Sequence, residues 1–353
     1  MSYLSIVALF VAVLGLSLTG YWLLLQKKIF QFLKKKNTGG ERWATQSKPI
    51  FGGVIFYLSF VFGIILTLFA VDFSIISSKY VGVLIICISI SFFMGLIDDL
   101  HNQGPLYKFL IQLACGIILI IAGMHIQTSN NIFINYGLTI LWVTGIMNSI
   151  NMLDNMDGIT GSVSAIILLT IIAIIGFSPS PNIFDLIILI CIFASVIGYM
   201  YWNWNPSKMY MGDNGSQFLG IILAIFSIKY IWNSTGAIEG VNYREFLLIG
   251  LSFLMPLTDT MVVFINRLSA GKSPFVGDKY HTTHNFVYLG LTERQTAMVF
   301  IVISVLTNAA VFYIISFKNV IIHKNYYLIL ASIGISISIC FFILSRIVKQ
   351  KNK

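Results

Sequence analysis

Tyr3-Leu-Ser-Ile-Val-Ala-Leu-Phe-Val-Ala-Val-Leu-Gly-Leu-Ser-Leu-Thr-Gly-Tyr-Trp-Leu-Leu-Leu25 runs without a charged residue and is followed at once by Lys27 and Lys28. A stretch this long and this apolar is what a helix needs to cross the hydrocarbon of a bilayer. Similar runs of about 16 to 23 residues recur to the far end of the chain. The 353 residues are 57% hydrophobic and 10% charged, against roughly 25% charged in a soluble domain. Such a chain cannot cover itself with polar surface, so its solvent is lipid. The first run has no basic segment before it and no Ala-x-Ala-like cleavage site, and is read as a retained first helix.

Eleven spans are expected, near 3–25, 50–70, 81–97, 109–124, 136–153, 159–177, 184–202, 216–232, 246–267, 296–317 and 326–346. The expected fold is therefore all-α, one polytopic transmembrane domain over residues 1–353, with no internal repeat and no soluble unit. The net charge of +9 does not point to nucleic acid, because of where it lies. Lys27, Lys28, Lys34, Lys35, Lys36, Arg42 and Lys48 follow the first span, and Arg346, Lys349, Lys351 and Lys353 end the chain. With the first loop inside, only Lys79, Lys229, Arg244, Lys318 and Lys324 of the 22 Lys and Arg fall on the outer face. That asymmetry places the N-terminus outside and the C-terminus in the cytoplasm, with anionic lipid as a further attraction for the basic loops. Cys87, Cys115, Cys191 and Cys340 all sit in apolar runs without metal-ligand spacing and read as small core residues.

Nine of the thirteen acidic residues fall on the cytoplasmic side, most of them in short polar segments at helix ends. Gly95-Leu-Ile-Asp98-Asp99 ends the third span with adjacent carboxylates, whose repulsion a metal or a cation would relieve, and Lys108 follows nine residues on. Asn148, Asn151, Asp154 and Asp157 recur every third residue among apolar neighbours and give a helix one polar face. Met211-Gly-Asp213-Asn-Gly-Ser216 opens the eighth span, where a helix N-terminus favours phosphate and a metal would reconcile Asp213 with it. The longest inside loop carries Arg267, Lys272, Asp278, Lys279, His281 and His284, preceded by Pro256-Leu-Thr-Asp259. Its cations suit a pyrophosphate better than its two histidines suit zinc. Carboxylates for Mg²⁺ beside cations for phosphate are the ingredients of phosphoryl transfer, and no Walker A or Gly-x-Gly-x-x-Gly sequence points to ATP or NAD.

These segments, in this order, resemble the polyprenyl-phosphate N-acetylhexosamine-1-phosphate transferases, glycosyltransferase family 4, from Gly52-Gly53 to His284. Asp98-Asp99 with Lys108 and Gln112 is similar to the branch that uses UDP-N-acetylglucosamine. The resemblance implies a bacterial inner-membrane enzyme that moves a sugar 1-phosphate from a UDP-N-acetylhexosamine to undecaprenyl phosphate, releasing UMP. It implies Asp98, Asp99, Lys108 and Asp213 as catalytic, with Asp213, Asp98 and Asp99 holding Mg²⁺, or Mn²⁺ in its place. Asn151, Asp154, Asp157, Asn203 and Tyr210 would shape the nucleoside pocket, Tyr210 stacking on uracil. Arg267, His281 and His284 would meet phosphates and sugar. A homodimer is the assembly the resemblance suggests. Three positions depart from the family pattern: Asn102 stands where an aspartate is frequent, Asn155 replaces a glycine, and His281-Thr-Thr-His284 replaces His-x-His-His. Phospho-MurNAc-pentapeptide transfer, CDP-alcohol phosphotransfer and ion-coupled transport are the competing readings. The second lacks its Asp-Gly-x-x-Ala-Arg sequence here, and the third lacks midplane charges and repeated halves.

Overall fold

The computed structural model describes residues 3–26, 48–50, 52–70, 78–234, 243–271, 281–317 and 324–351. The basic run Lys27–Arg42 and the loop residues Lys272, Asp278 and Lys279 lie outside them. In lipid each backbone amide must find its partner within its own segment, and the apolar runs therefore fold as helices. In chain order these are α1 Tyr3–Gln26, α2 Gly52–Ala70, α3 Ser78–His101, α4 Pro105–Ile121, α5 Ile132–Leu153, α6 Ile159–Gly176, α7 Ile183–Asn203 and α8 Gly212–Ser227. They continue as α9 Tyr243–Ser252, α10 Leu254–Ser269, α11 Thr282–Tyr288, α12 Glu293–Ser316 and α13 Lys324–Lys351. A π turn, Ile228–Trp232, extends α8. Among the described residues the one non-helical pairing is an isolated bridge between Ile50 and Tyr210.

Nine of these helices are long and apolar enough to cross a membrane, or ten if the bent pair α9–α10 counts as one span. The fourth expected span is a shorter apolar helix, α4, that starts on Pro105. Proline suits that first position because the amide it lacks would have no partner there. The ninth expected span, 246–267, is not continuous: α9 and α10 meet at 84°. A break inside a membrane frees backbone groups that neighbouring helices must take up. Asn308 of α12 does so, donating to the Ser252 carbonyl oxygen at 3.1 Å and accepting from the Ser252 hydroxyl at 2.8 Å.

Burial orders the bundle. The spanning window of α8 is 89% buried, those of α7 and α6 78% and 72%, and those of α1 and α13 17%. So α8 is the axis, and α1 and α13 turn residues such as Leu4, Val11, Ile335 and Ile339 towards lipid. The helix α3 runs antiparallel to α8, joined to it by polar groups at both ends: Tyr80 with Lys229 at one, Asp99 with Asp213 and Asn214 at the other.

Candidate active site

The site starts from a junction that only glycine permits. A Cβ on Gly95 of α3 would stand 2.2 Å from the Asp213 carbonyl oxygen, and one on Gly53 of α2 2.1 Å from Asn214 Oδ1. Three helix ends thus meet backbone to backbone. Gly212 turns the chain into α8 at φ +75°, the left-handed region where a side chain is strained.

At that junction Asp99 accepts the backbone amides of Asp213 (3.1 Å) and Asn214 (2.9 Å) and the Asn214 side-chain amide (2.6 Å). It is the cap of α8, supplied from a neighbouring helix, and satisfies amides that would otherwise be orphaned. These bonds take three of its roughly four acceptor sites.

Asp98 is buried and faces the site. Lys108, from the first turn of α4, donates to Asp98 Oδ2 at 2.7 Å and forms a second, very short ion pair with Asp213. One ammonium thus bridges two carboxylates from two other helices. Asp98 Oδ1 is buried with no hydrogen-bond partner, an arrangement that costs free energy unless a ligand completes it. Among the described residues no three His, Cys, Asp or Glu side chains converge as a ready-made metal cage. The oxygen pair of Asp98 and Asp213 nevertheless fits Mg²⁺, which is commonly held by one or two carboxylates with waters and substrate phosphates.

The polar face of α5 is used for bracing. Asn148 exchanges hydrogen bonds with Gln112 of α4, Gln112 also donates to Gln217 of α8, and Asn151 donates to Ser216 of α8 at 2.8 Å. These bonds fix α4 and α5 against the first turns of α8, and so fix Lys108 relative to Asp213. Asp154 terminates α5. Asp157 accepts the amide (3.0 Å) and hydroxyl (2.8 Å) of Ser207 and lies 3.8 Å from Lys48 Nζ. Asn203 accepts the Gly158 amide and donates to the Met209 carbonyl oxygen, each at 2.9 Å. Asp157 and Asn203 therefore hold the 204–210 loop that presents Tyr210. The Tyr210 amide donates to the Pro49 carbonyl oxygen at 2.8 Å, and Lys48 Nζ stands 5.1 Å from its ring centroid.

The fourth group comes from α10 and α11. Asp259 is fully buried, lies 3.0 Å from His281 Nδ1, and accepts the amide and hydroxyl of Thr282 at 2.9 and 2.5 Å. The rings of His281 and His284 meet edge to face, centroids 5.6 Å apart. The Thr283 hydroxyl donates to Asn155 Oδ1 at 2.5 Å, which ties α11 to the turn after α5. Arg267 is buried in the last turn of α10.

The structure thus brings Asp98, Lys108 and Asp213 into direct contact and sets Asp99 behind them. Asn151 is bonded to the first turn of α8, and Asp157, Asn203 and Tyr210 share one loop. His281 and His284 join through α11, while Asp154 ends α5 and Arg267 lies buried in the last turn of α10. The sequence alone gives Asp259 no role and Lys48 only a share of the loop charge. Both are lone residues in unremarkable contexts, and only the chain's return from a distant segment reveals their partners.

A family model described as Glycosyl transferase family 4 matches residues 81–231, which contain Asp98, Lys108, Asp154 and Asp213. Among similar proteins is one from Bacillus subtilis (strain 168) named "Probable undecaprenyl-phosphate N-acetylglucosaminyl 1-phosphate transferase". It is 28% identical over 260 residues, 71% of this chain and 69% of the relative. The undecaprenyl-phosphate alpha-N-acetylglucosaminyl 1-phosphate transferase of Escherichia coli (strain K12) is 27% identical over 263 residues, 70% of this chain and 67% of its own length. The phospho-N-acetylmuramoyl-pentapeptide-transferase of Staphylococcus carnosus (strain TM300) is 29% identical over 285 residues, covering 73% and 82%. With the motifs in family order and their carboxylates gathered at one end of a membrane bundle, the chain is similar to glycosyl transferase family 4 over residues 81–231.

Proposed function

We propose that the protein transfers N-acetylglucosamine 1-phosphate from UDP-N-acetylglucosamine to undecaprenyl phosphate, with UMP as the second product. One observation carries this reading: Lys108 bridges Asp98 and Asp213, with an orphaned Asp98 oxygen beside it. A cation flanked by carboxylates is equipped to receive phosphates and to balance their charge. The relatives named for N-acetylglucosaminyl 1-phosphate transfer support the donor.

Asp98 and Asp213 are the residues that would hold Mg²⁺. Bound there, the ion would neutralise charge on the donor pyrophosphate. The ammonium of Lys108 binds a phosphate oxygen once substrate displaces its carboxylate partners. Asp98 orients the lipid phosphate, whose ionised oxygen attacks the sugar-linked phosphorus as the bond to UMP breaks. A phospho-Asp98 intermediate is the two-step alternative. Tyr210 stacks on uracil, and its loop is held in place by Asp157, Asn203 and Lys48. His281, oriented by Asp259, and His284 donate to phosphate and sugar oxygens, and Arg267 adds positive charge at the same rim. The site faces the cytoplasm of a bacterial inner membrane, the side to which the basic loops belong.

The test is purified protein with undecaprenyl phosphate, Mg²⁺ and a panel of UDP-sugars that includes UDP-MurNAc-pentapeptide, with the lipid product weighed by mass spectrometry. A lipid diphosphate carrying one N-acetylhexosamine supports the reading. Product from the pentapeptide donor alone moves the protein to the other branch, and no product from any donor overturns it.

A further inference from the structure

At the end of the bundle opposite the carboxylates, α3 and α8 are tied by a second set of charged groups that the proposed reaction does not use. Asp185, in the first turn of α7, is fully buried and accepts from Tyr80 of α3 at 2.7 Å, from Lys229 at 2.6 Å and from Tyr230. Tyr80 precedes Asp98 by 18 residues of helix, about 27 Å, so this cluster touches no reacting group. Ionisable side chains within membrane spans are costly and mark functional sites. Lys229 also lies in a π turn, a distortion that collects at such sites.

Lys229 and Tyr230 line a cavity of about 700 Å³. Ser178, Ser234 and Ser316 give the cavity a hydroxyl wall, while Phe177, Ile315 and Phe317 give it an apolar one. Two independent features show unmet hydrogen-bonding capacity there. Lys229 has three N–H donors; two go to Asp185 and to the Tyr80 hydroxyl at 3.1 Å, the ammonium also lies over the Tyr80 and Tyr230 rings, and the third N–H has no oxygen acceptor among the described residues. The Ser316 hydroxyl is buried and bonds to no protein atom. Arg244 stands at the same end, donating to the Ser234 hydroxyl at 3.4 Å and to the Ile314 carbonyl oxygen at 3.2 Å.

We propose that this cavity binds the phosphodiester headgroup of a membrane glycerophospholipid. Lys229 and Ser316 donate to phosphate oxygens, and an acyl chain lies along Phe177, Ile315 and Phe317. The apolar wall would gain nothing from a free anion, and a lipid without phosphate would leave both donors unmet. Because Asp185 balances the charge of Lys229, recognition is by hydrogen bonds to the phosphate. Phosphatidylglycerol and phosphatidylethanolamine therefore both bind, and diacylglycerol does not.

The experiment is native mass spectrometry of the delipidated full-length protein, titrated in detergent with phosphatidylglycerol and, separately, with diacylglycerol. Ser316→Trp and Ser178→Trp fill the cavity without touching the ion pair. Asp185→Asn/Lys229→Met removes both charges together, so that no lone buried charge remains. Thermal unfolding shows which variants are folded, independently of any transferase activity. The expected result is one retained phosphatidylglycerol on the wild type and at least about tenfold less on every folded variant, the tryptophans by filling the cavity and the double variant by losing a charge-assisted hydrogen bond. Equal retention by a folded tryptophan variant, or diacylglycerol held as firmly as phosphatidylglycerol, would overturn the proposal.

Discussion

Asp98 and Asp99 are adjacent in sequence and do different work. Asp99 satisfies three amide donors at the start of α8, whereas Asp98 keeps an oxygen without a partner. Replacing Asp99 by Ala should lower stability by about 2 kcal/mol or more, since it leaves buried amides unmet around a lost charged acceptor. Replacing Asp98 by Asn should leave thermal unfolding within a few degrees of wild type and abolish turnover. Unfolding curves and product formation measured on both variants separate the two roles. Two of the departures from the family pattern also explain each other, because Asn155 and Thr283 are hydrogen-bonded partners. Asn155→Gly and Thr283→His should each reduce activity, and the double variant should recover part of the loss. That non-additivity is the signature of a coupled pair in a double-mutant cycle. Additive losses would mean that the contact is incidental.

Among elements, the α3–α8 pair sets the geometry, and its tolerance is set by Gly95. Gly95→Ala puts a methyl group where the Asp213 carbonyl oxygen already lies. The helices must part, at a cost of about 1–3 kcal/mol, and Asp98 moves away from Asp213. The expected result is loss of activity well beyond the loss of stability, read from kcat and the unfolding midpoint of the same preparation. The broken span α9–α10 belongs to this scale too. Its bend has a sequence signal in Pro256, which lacks the amide that would bond the Ser252 carbonyl four residues earlier, but that Asn308, 56 residues away, takes up this carbonyl was not legible. The helices themselves were legible, since runs of apolar residues in lipid leave the backbone no other way to bond. The carboxylate cluster was legible only as a list. That Asp99 faces α8 while Asp98 faces Lys108 depends on how the two helices are rotated, which no local pattern encodes. Likewise Asp157 and Asn203 are polar residues in a motif, and only the folded 204–210 loop shows that they hold it.

On the scale of the whole molecule, the bundle carries charge at both ends of its central helix and apolar surface around its sides. On the proposed topology, which puts the carboxylate end in the cytoplasm, Ser180→Cys should react with a membrane-impermeant maleimide in intact cells. Lys208→Cys should react only after permeabilisation, each variant built with Cys340, the exposed native cysteine, replaced by Ser. The reverse pattern would invert the topology. Chelation should stop turnover and Mg²⁺ should restore it, since the carboxylates that hold Lys108 add negative charge beside a pyrophosphate that brings more. The decisive measurement is UMP release from UDP-N-acetylglucosamine and undecaprenyl phosphate by wild type, Asp98→Asn, Asp213→Asn and Lys108→Gln. Wild type should release UMP only when lipid phosphate and Mg²⁺ are both present. Each variant should fall by about a thousandfold or more, the scale of losing a preorganised charged group, while remaining folded. Turnover retained by any of the three would show that the Asp98–Lys108–Asp213 cluster is not the reaction centre.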